Sequence, residues 1–97
     1  MKEKNVLQVL GKSHALDILR SLNERAMRFV DLRDICKSNR TRSARLKELM
    51  NEDLIWAVPK MIGNRAYTFY EITSLGKEAL SLGQKLVRLK SIERKKR

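Results

Sequence analysis

Apolar positions along this chain change rhythm several times, and each change marks a boundary between elements. Val6, Leu7, Val9 and Leu10 form a short apolar segment that begins as a helix and is interrupted at Gly11. Ser13 offers an N-cap for a firmer helix, in which Ala15, Leu16, Ile18, Leu19 and Leu22 recur at three- and four-residue spacing. Asn23-Glu24 supplies a polar turn. Met27-Arg28-Phe29-Val30 reads as a brief extended segment, and Asp31 starts a third helix, its charge favourable at the positive end of the helix dipole. Leu32, Ile35 and Cys36 give that helix a buried face, and Lys37-Ser38-Asn39 ends it in a tight turn.

Ser38 is also the natural N-cap of the next helix, over residues 39–52. At 100° per residue, Leu46, Leu49 and Met50 fall on one side, and Arg40, Ala44, Lys47 and Asn51 on the other. Residues 54–58 are strand-like, Pro59 restricts the pairing, and Gly63-Asn64 signals a turn before the Tyr-, Thr- and Phe-rich strand 66–72. Thr73 or Ser74 caps a last helix, which carries Leu75, Ala79, Leu82, Leu86 and Leu89 at alternating four- and three-residue steps, flanked by Leu80 and Val87. This is the pattern of a coiled-coil seam. A helix over 75–93 is roughly 30 Å long, more than a small domain needs to cover itself, so it is expected to pair with its own copy. Gly76 and Gly83, one heptad apart, suit close helix approach at that interface.

Ninety-seven residues make one domain. With 42% hydrophobic residues but only 5% aromatic, its core rests on Leu, Ile, Val, Ala and Met, which a partner subunit would help to bury. The net charge of +11 points to a polyanionic partner, nucleic acid or an anionic membrane. Membrane is the weaker choice, because no apolar run has the length of a bilayer span and no signal-type core follows the N-terminus; a cytoplasmic, nucleoid-associated protein is expected. Within Lys37–Lys47 lie five cations, Lys37, Arg40, Arg42, Arg45 and Lys47, and no acid. One cysteine, Cys36, excludes an intrachain disulfide and a cysteine metal cluster, and reads as a small core residue rather than a redox thiol or an intersubunit bridge. With one histidine, His14, read as part of a helix start, and no glycine-rich phosphate loop, the chain is expected to be no enzyme and to need no cofactor or metal.

The motifs in order are Leu10-Gly11-Lys12, Arg28-Phe29-x-Asp31-Leu32, Leu46-Lys47-Glu48-Leu49, Leu54-Ile55 and Tyr70-x-Ile72-Thr73-x-x-Gly76. In this order and spacing the chain resembles winged-helix transcription regulators of the HxlR type, and more broadly the MarR and ArsR groups, over roughly residues 5–80. The resemblance implies an α+β, mainly α fold: a winged helix-turn-helix over 1–74 with a two- to three-stranded wing, a dimerisation helix over 75–93, and a disordered basic tail at 94–97. It further implies that the 39–52 helix enters the major groove of double-stranded DNA, with Arg40, Thr41, Ser43, Ala44 and Lys47 toward the bases and Asn39 as a further DNA-binding residue. Lys37, Arg42 and Arg45 are then phosphate contacts. The wing, 59–66, lies on the backbone or minor groove through Lys60, Asn64 and Arg65. Leu75, Ala79, Leu82, Leu86 and Leu89 form the homodimer interface, and a two-fold dimer implies a palindromic operator. Three positions depart from the family pattern. Asp53 stands where a glycine usually leaves the helix in a left-handed turn. Arg42 replaces an apolar residue, and is expected to lay its stem on the core with its head toward a phosphate. Val30 replaces a polar cap.

Two other functions fit the same residues. A sequence-tolerant architectural DNA-binding protein is suggested by small size and charge, since residues 74–97 alone hold eight basic and two acidic residues. A winged helix that docks on another protein is disfavoured by Arg40 and Lys47.

Overall fold

A computed structural model describes residues 5–95. The chain runs α1 (Asn5–Leu10), α2 (Ala15–Glu24), a 3-10 turn (Val30–Asp34), α3 (Asn39–Asn51), β1 (Ile55–Ile62), β2 (Arg65–Ile72) and α4 (Ser74–Lys95). This is the winged-helix arrangement, mainly helical with a two-stranded antiparallel hairpin and a long last helix. Ile18, Leu19 and Leu22 of α2 occupy the centre of the core, with Val9 of α1, Leu32, Leu46 and Leu49 of α3, Leu54, Ile55, and Ala79 and Leu80 of α4 around them. No helix among the described residues is long and apolar enough to cross a membrane.

Several local expectations need correction. The N-cap of α2 is His14, in a left-handed conformation (φ 69°) with no side-chain cap, and not Ser13. The third helix is only a 3-10 turn. It still buries Leu32, with Cys36 buried just beyond its end, and Asp31 Oδ2 accepts from the Arg28 backbone N–H at 2.9 Å in place of the missing cap at Val30. β1 does not stop before Pro59 but continues to Ile62, with Pro59 opposite Thr68. The reason lies on the far side of β2. Tyr70 exchanges both backbone hydrogen bonds with Met27 (2.7 and 3.1 Å), so its pair with Ala57 is the non-hydrogen-bonded kind. Two residues along, Pro59↔Thr68 is of the same kind, and the absent N–H faces the open edge, where nothing is lost.

α4 extends to Lys95, two residues beyond the expected end at 93; of the tail assigned to 94–97, residues 96 and 97 lie outside the described ones. The two glycines of α4 make close contacts within the chain. A Cβ on Gly76 would collide with the Leu54 carbonyl oxygen, and one on Gly83 would meet Leu16 Cδ2 of α2 at 2.8 Å. Thr73 caps the helix, its Oγ1 accepting from the Gly76 N–H at 2.9 Å and donating toward Asp53 O at 2.7 Å and Leu54 O at 3.0 Å.

Asp53 adopts the left-handed conformation expected of it (φ 61°). It closes α3 in a Schellman motif, with Leu54 N–H donating to Leu49 O and Asp53 N–H to Met50 O, each at 3.0 Å. A Cβ in that conformation is strained, whereas glycine is not. Asp53→Gly is therefore expected to stabilise the fold by about 1 kcal/mol, the relief of strain exceeding the added freedom of the unfolded chain. A thermal melt unmoved or lowered by the substitution would contradict this.

Candidate nucleic-acid interface

The basic segment 37–47 divides into cations held inside the fold and cations left outside. Ser38 starts α3 as expected, its backbone extended and its Oγ accepting from the Thr41 N–H at 3.1 Å. From there the helix turns Asn39, Arg40, Ser43, Ala44, Lys47 and Asn51 outward, and all six are exposed; Thr41 is half-buried. Arg40, Lys47 and the neighbouring Lys37 are also exposed and enter no ion pair among the described residues. Three of the five expected cations are thus presented together with a small-residue surface, Ser43 and Ala44, between them.

Arg42 is the main correction. It is 1% exposed, and its guanidinium is enclosed by backbone. Nε donates to Cys36 O at 2.8 Å, Nη2 to Lys37 O at 3.2 Å and Nη1 to Phe29 O at 3.4 Å, while the plane lies 4.4 Å from the centre of the Phe29 ring. The stem covers the core as expected, but the head reaches the turn rather than a phosphate. A fork of five N–H donors can gather three carbonyls that no apolar side chain could satisfy.

Arg45 is likewise engaged within the protein. Its Nε donates to Ser13 O at 2.8 Å and its Nη1 pairs with Glu48 Oε1 at 2.7 Å. Glu48 also receives Lys12 Nζ at 2.7 Å, and the Lys12 ammonium, followed by Arg45, holds its carboxyl below the usual carboxylate range. These bonds fasten α3 to the loop before α2, so Arg45 acts as a brace within the protein.

The structure adds one cation that the sequence pattern does not single out. Arg33, exposed on the 3-10 turn, lines a hollow of about 510 Å³ with Lys37, Asn39, Phe29 and Val30 beside the start of α3. No linear motif marks it, because the 3-10 turn comes beside the start of α3 only through tertiary packing, Leu32 sharing the core with Leu46 and Leu49. In the wing, Lys60 pairs with Glu71 at 3.1 Å and lies over the Phe69 ring, whereas Asn64 and Arg65 are exposed at the tip. Of the expected dimer residues, Leu75, Leu82, Leu86 and Leu89 are exposed, but Ala79 is buried in the protomer's own core. Cys36 is buried, its Sγ 3.9 Å from Ser38 O. No group of three metal-ligating side chains occurs among the described residues.

No family model and no curated protein matches the chain. Its fold is similar to that of solved proteins. TA0346 from Thermoplasma acidophilum, assigned as a transcriptional regulator, aligns with a TM-score of 0.65 at 19% identity over 86% of both chains. The adhesin competence repressor AdcR from Streptococcus pyogenes aligns with a TM-score of 0.67 at 21% identity, over 86% of this chain and 63% of that one.

Replacing Arg42 by Met keeps the stem and removes the donors, leaving the three carbonyls of the turn unsatisfied. Arg42→Met is expected to lower stability by about 2–4 kcal/mol. Arg42→Lys should recover only part, since a point ammonium cannot span three acceptors. Denaturant titration measures both, and an unchanged midpoint for Arg42→Met would rule out the clamp.

Proposed function

We propose that this chain is a sequence-specific, double-stranded DNA-binding transcription regulator of the HxlR-like kind, acting as a homodimer. The observation that carries the proposal is the outward face of α3, where Arg40 and Lys47 flank the small side chains of Ser43 and Ala44, all exposed. A helix that enters the major groove needs donors long enough to reach base edges and small residues that let the backbone approach. In this reading Arg40, Asn39, Ser43, Ala44 and Lys47 face the bases, with Thr41 beside them. Lys37, joined by Arg33, neutralises phosphates at the helix start. Arg65 and Asn64 meet the backbone or minor groove from the wing. The regulators among the structural neighbours agree with this reading.

The homodimer is supported by α4. Leu82, Leu86 and Leu89 lie exposed along it, and with α1 and α2 it borders an apolar groove of about 460 Å³ lined by Leu7, Leu10, Leu75, Leu82 and Leu86. The leucine seam of a second copy is a partner of matching chemistry. Isologous pairing of this face would present two α3 helices to half-sites about one helical turn apart.

Selection of bound sequences from a random duplex pool at physiological salt tests the function. It is expected to return one palindromic site, at which Arg40→Ala weakens binding by about 1–3 kcal/mol and relaxes preference at one position in each half. Equal affinity for every duplex would favour the architectural alternative and defeat the specific one.

Leu82→Glu combined with Leu86→Glu places two like charges from each copy on the proposed seam. Analytical ultracentrifugation is expected to show a dimer for the unaltered chain and a folded monomer for this variant. A monomer from both would exclude the α4 interface.

A further inference from the structure

The wing ends in an apolar pair that the protein itself leaves uncovered. Each strand of the hairpin has eight residues, roughly 26 Å of chain, and of β1 only Ile55 at its base is buried. Through β2 the lower part of the ribbon is covered, Tyr70 and Ile72 packing against the core and Arg28 lying over the Tyr67 ring, but its distal end has nothing to pack against. Met61 and Ile62 are 66% and 55% exposed, and a Cβ added at Gly63 would meet nothing within 4 Å. Successive strand residues point to opposite faces, so the two side chains flank the tip from both sides. The turn itself is narrow: of its two residues only Gly63 has a positive φ (64°), the type II′ pattern.

The polar residues around this pair indicate its occupant. Residues 60–66 contain no acid, and Arg65, exposed and in no ion pair among the described residues, stands opposite Ile62 in the register, whereas Lys60 is engaged by Glu71. Such a surface attracts an anion, yet a phosphate alone gives Met61 and Ile62 nothing to contact. The DNA minor groove offers both: phosphate walls for the cation, and a stack of base edges between which apolar side chains insert as wedges. The tip of a second copy is a poor alternative, since its residues 60–66 hold no acid to answer Arg65.

We propose that Met61 and Ile62 form a wedge that enters the minor groove, partly unstacks a base step and bends the duplex, with Arg65 holding the adjacent phosphates. The inference rests on the DNA-binding reading above and adds to it a deformation of the DNA. It also adds a source of specificity, because flexible pyrimidine–purine steps under the wing are the easiest to open. β1 follows directly from the Asp53 turn that ends α3, so wedge and reading helix are joined by a stretch of chain with fixed hydrogen bonds.

The test uses the full chain and a short duplex recovered from the random pool, labelled at both ends. Energy transfer between the ends reports the bend, and anisotropy reports affinity across a salt series. The unaltered protein is expected to bring the ends closer. Met61→Ser combined with Ile62→Ser, at exposed positions that leave the thermal melt unchanged, should return the transfer to that of free duplex and weaken binding roughly tenfold with the same salt slope. Arg65→Ala should keep the bend and lower the salt slope by about one. Binding without a bend, or a double variant that bends as well as the parent, overturns the wedge and leaves the DNA-binding reading standing. A double variant whose self-association in the absence of DNA changes also overturns it, by making the tip a contact between copies. Failure of the unaltered chain to bind any duplex overturns both readings together.

Discussion

The whole basic segment is organised by one buried cation. Arg42 places a full positive charge among backbone carbonyls, with no carboxylate within its hydrogen bonds. Burial of an unpaired charge is costly, and what offsets it here is the convergence of three carbonyl oxygens and the face of Phe29 on one planar group. Those carbonyls come from Phe29 before the 3-10 turn and from Cys36 and Lys37 in the turn before α3. The same guanidinium therefore closes the turn, ties the preceding segment to the helix, and fixes the direction in which α3 leaves. A 3-10 turn of five residues is too short to hold that geometry by its own hydrogen bonds.

This clamp changes what the charge on the segment means. Counted along the sequence, five cations without an acid suggest a uniformly basic helix. In three dimensions Arg42 and Arg45 look inward, at carbonyls and at Glu48, and only Lys37, Arg40 and Lys47 look outward. A reading surface built from a few free cations spaced by Ser43 and Ala44 is better suited to discrimination than one crowded with charge. Phosphate attraction is indifferent to sequence, whereas a long donor beside a bare backbone is not.

The sequence made the architecture legible because its signals are local. The spacing of Ala15 to Leu22, the Ser38 cap, the Gly63-Asn64 turn and the leucines of α4 each act within a few residues. Asp53 in the left-handed region was legible through the family pattern, as a non-glycine residue at a position that usually demands glycine. What could not be read depends on tertiary partners. The helical wheel puts Arg42 beside Leu46, so its stem on the core was legible, but the end point of its head was not, because Phe29, Cys36 and Lys37 gather around it only on folding. Gly76 and Gly83 have coiled-coil spacing, yet their contacts are Leu54 and Leu16 of the same chain. Pro59 argues against a strand unless Met27 is known to occupy the other side of Tyr70. Arg33 comes beside the start of α3 only once the core around Leu32 has formed.

α3 is consequently held at both ends and along one side. At its start are the Ser38 cap and the Arg42 clamp. At its end, the Schellman turn at Asp53 passes directly into Leu54, whose carbonyl receives the Thr73 N–H at 3.0 Å and whose oxygen leaves room for nothing larger than Gly76. On its side, Glu48 joins Lys12 and Arg45 joins Ser13. The start of α4, the start of β1 and the end of α3 thus share one knot of backbone, and a rotation of α3 alone would break bonds in all three. In the proposed dimer the separation of the two reading helices is then set by the angle at which the α4 helices cross. A ligand or partner that altered the α4 pairing would move α3 and the wing together, as one body. Regulation of such a dimer would act through the spacing of the two halves, because the clamp and the knot leave each half little freedom to change its own shape.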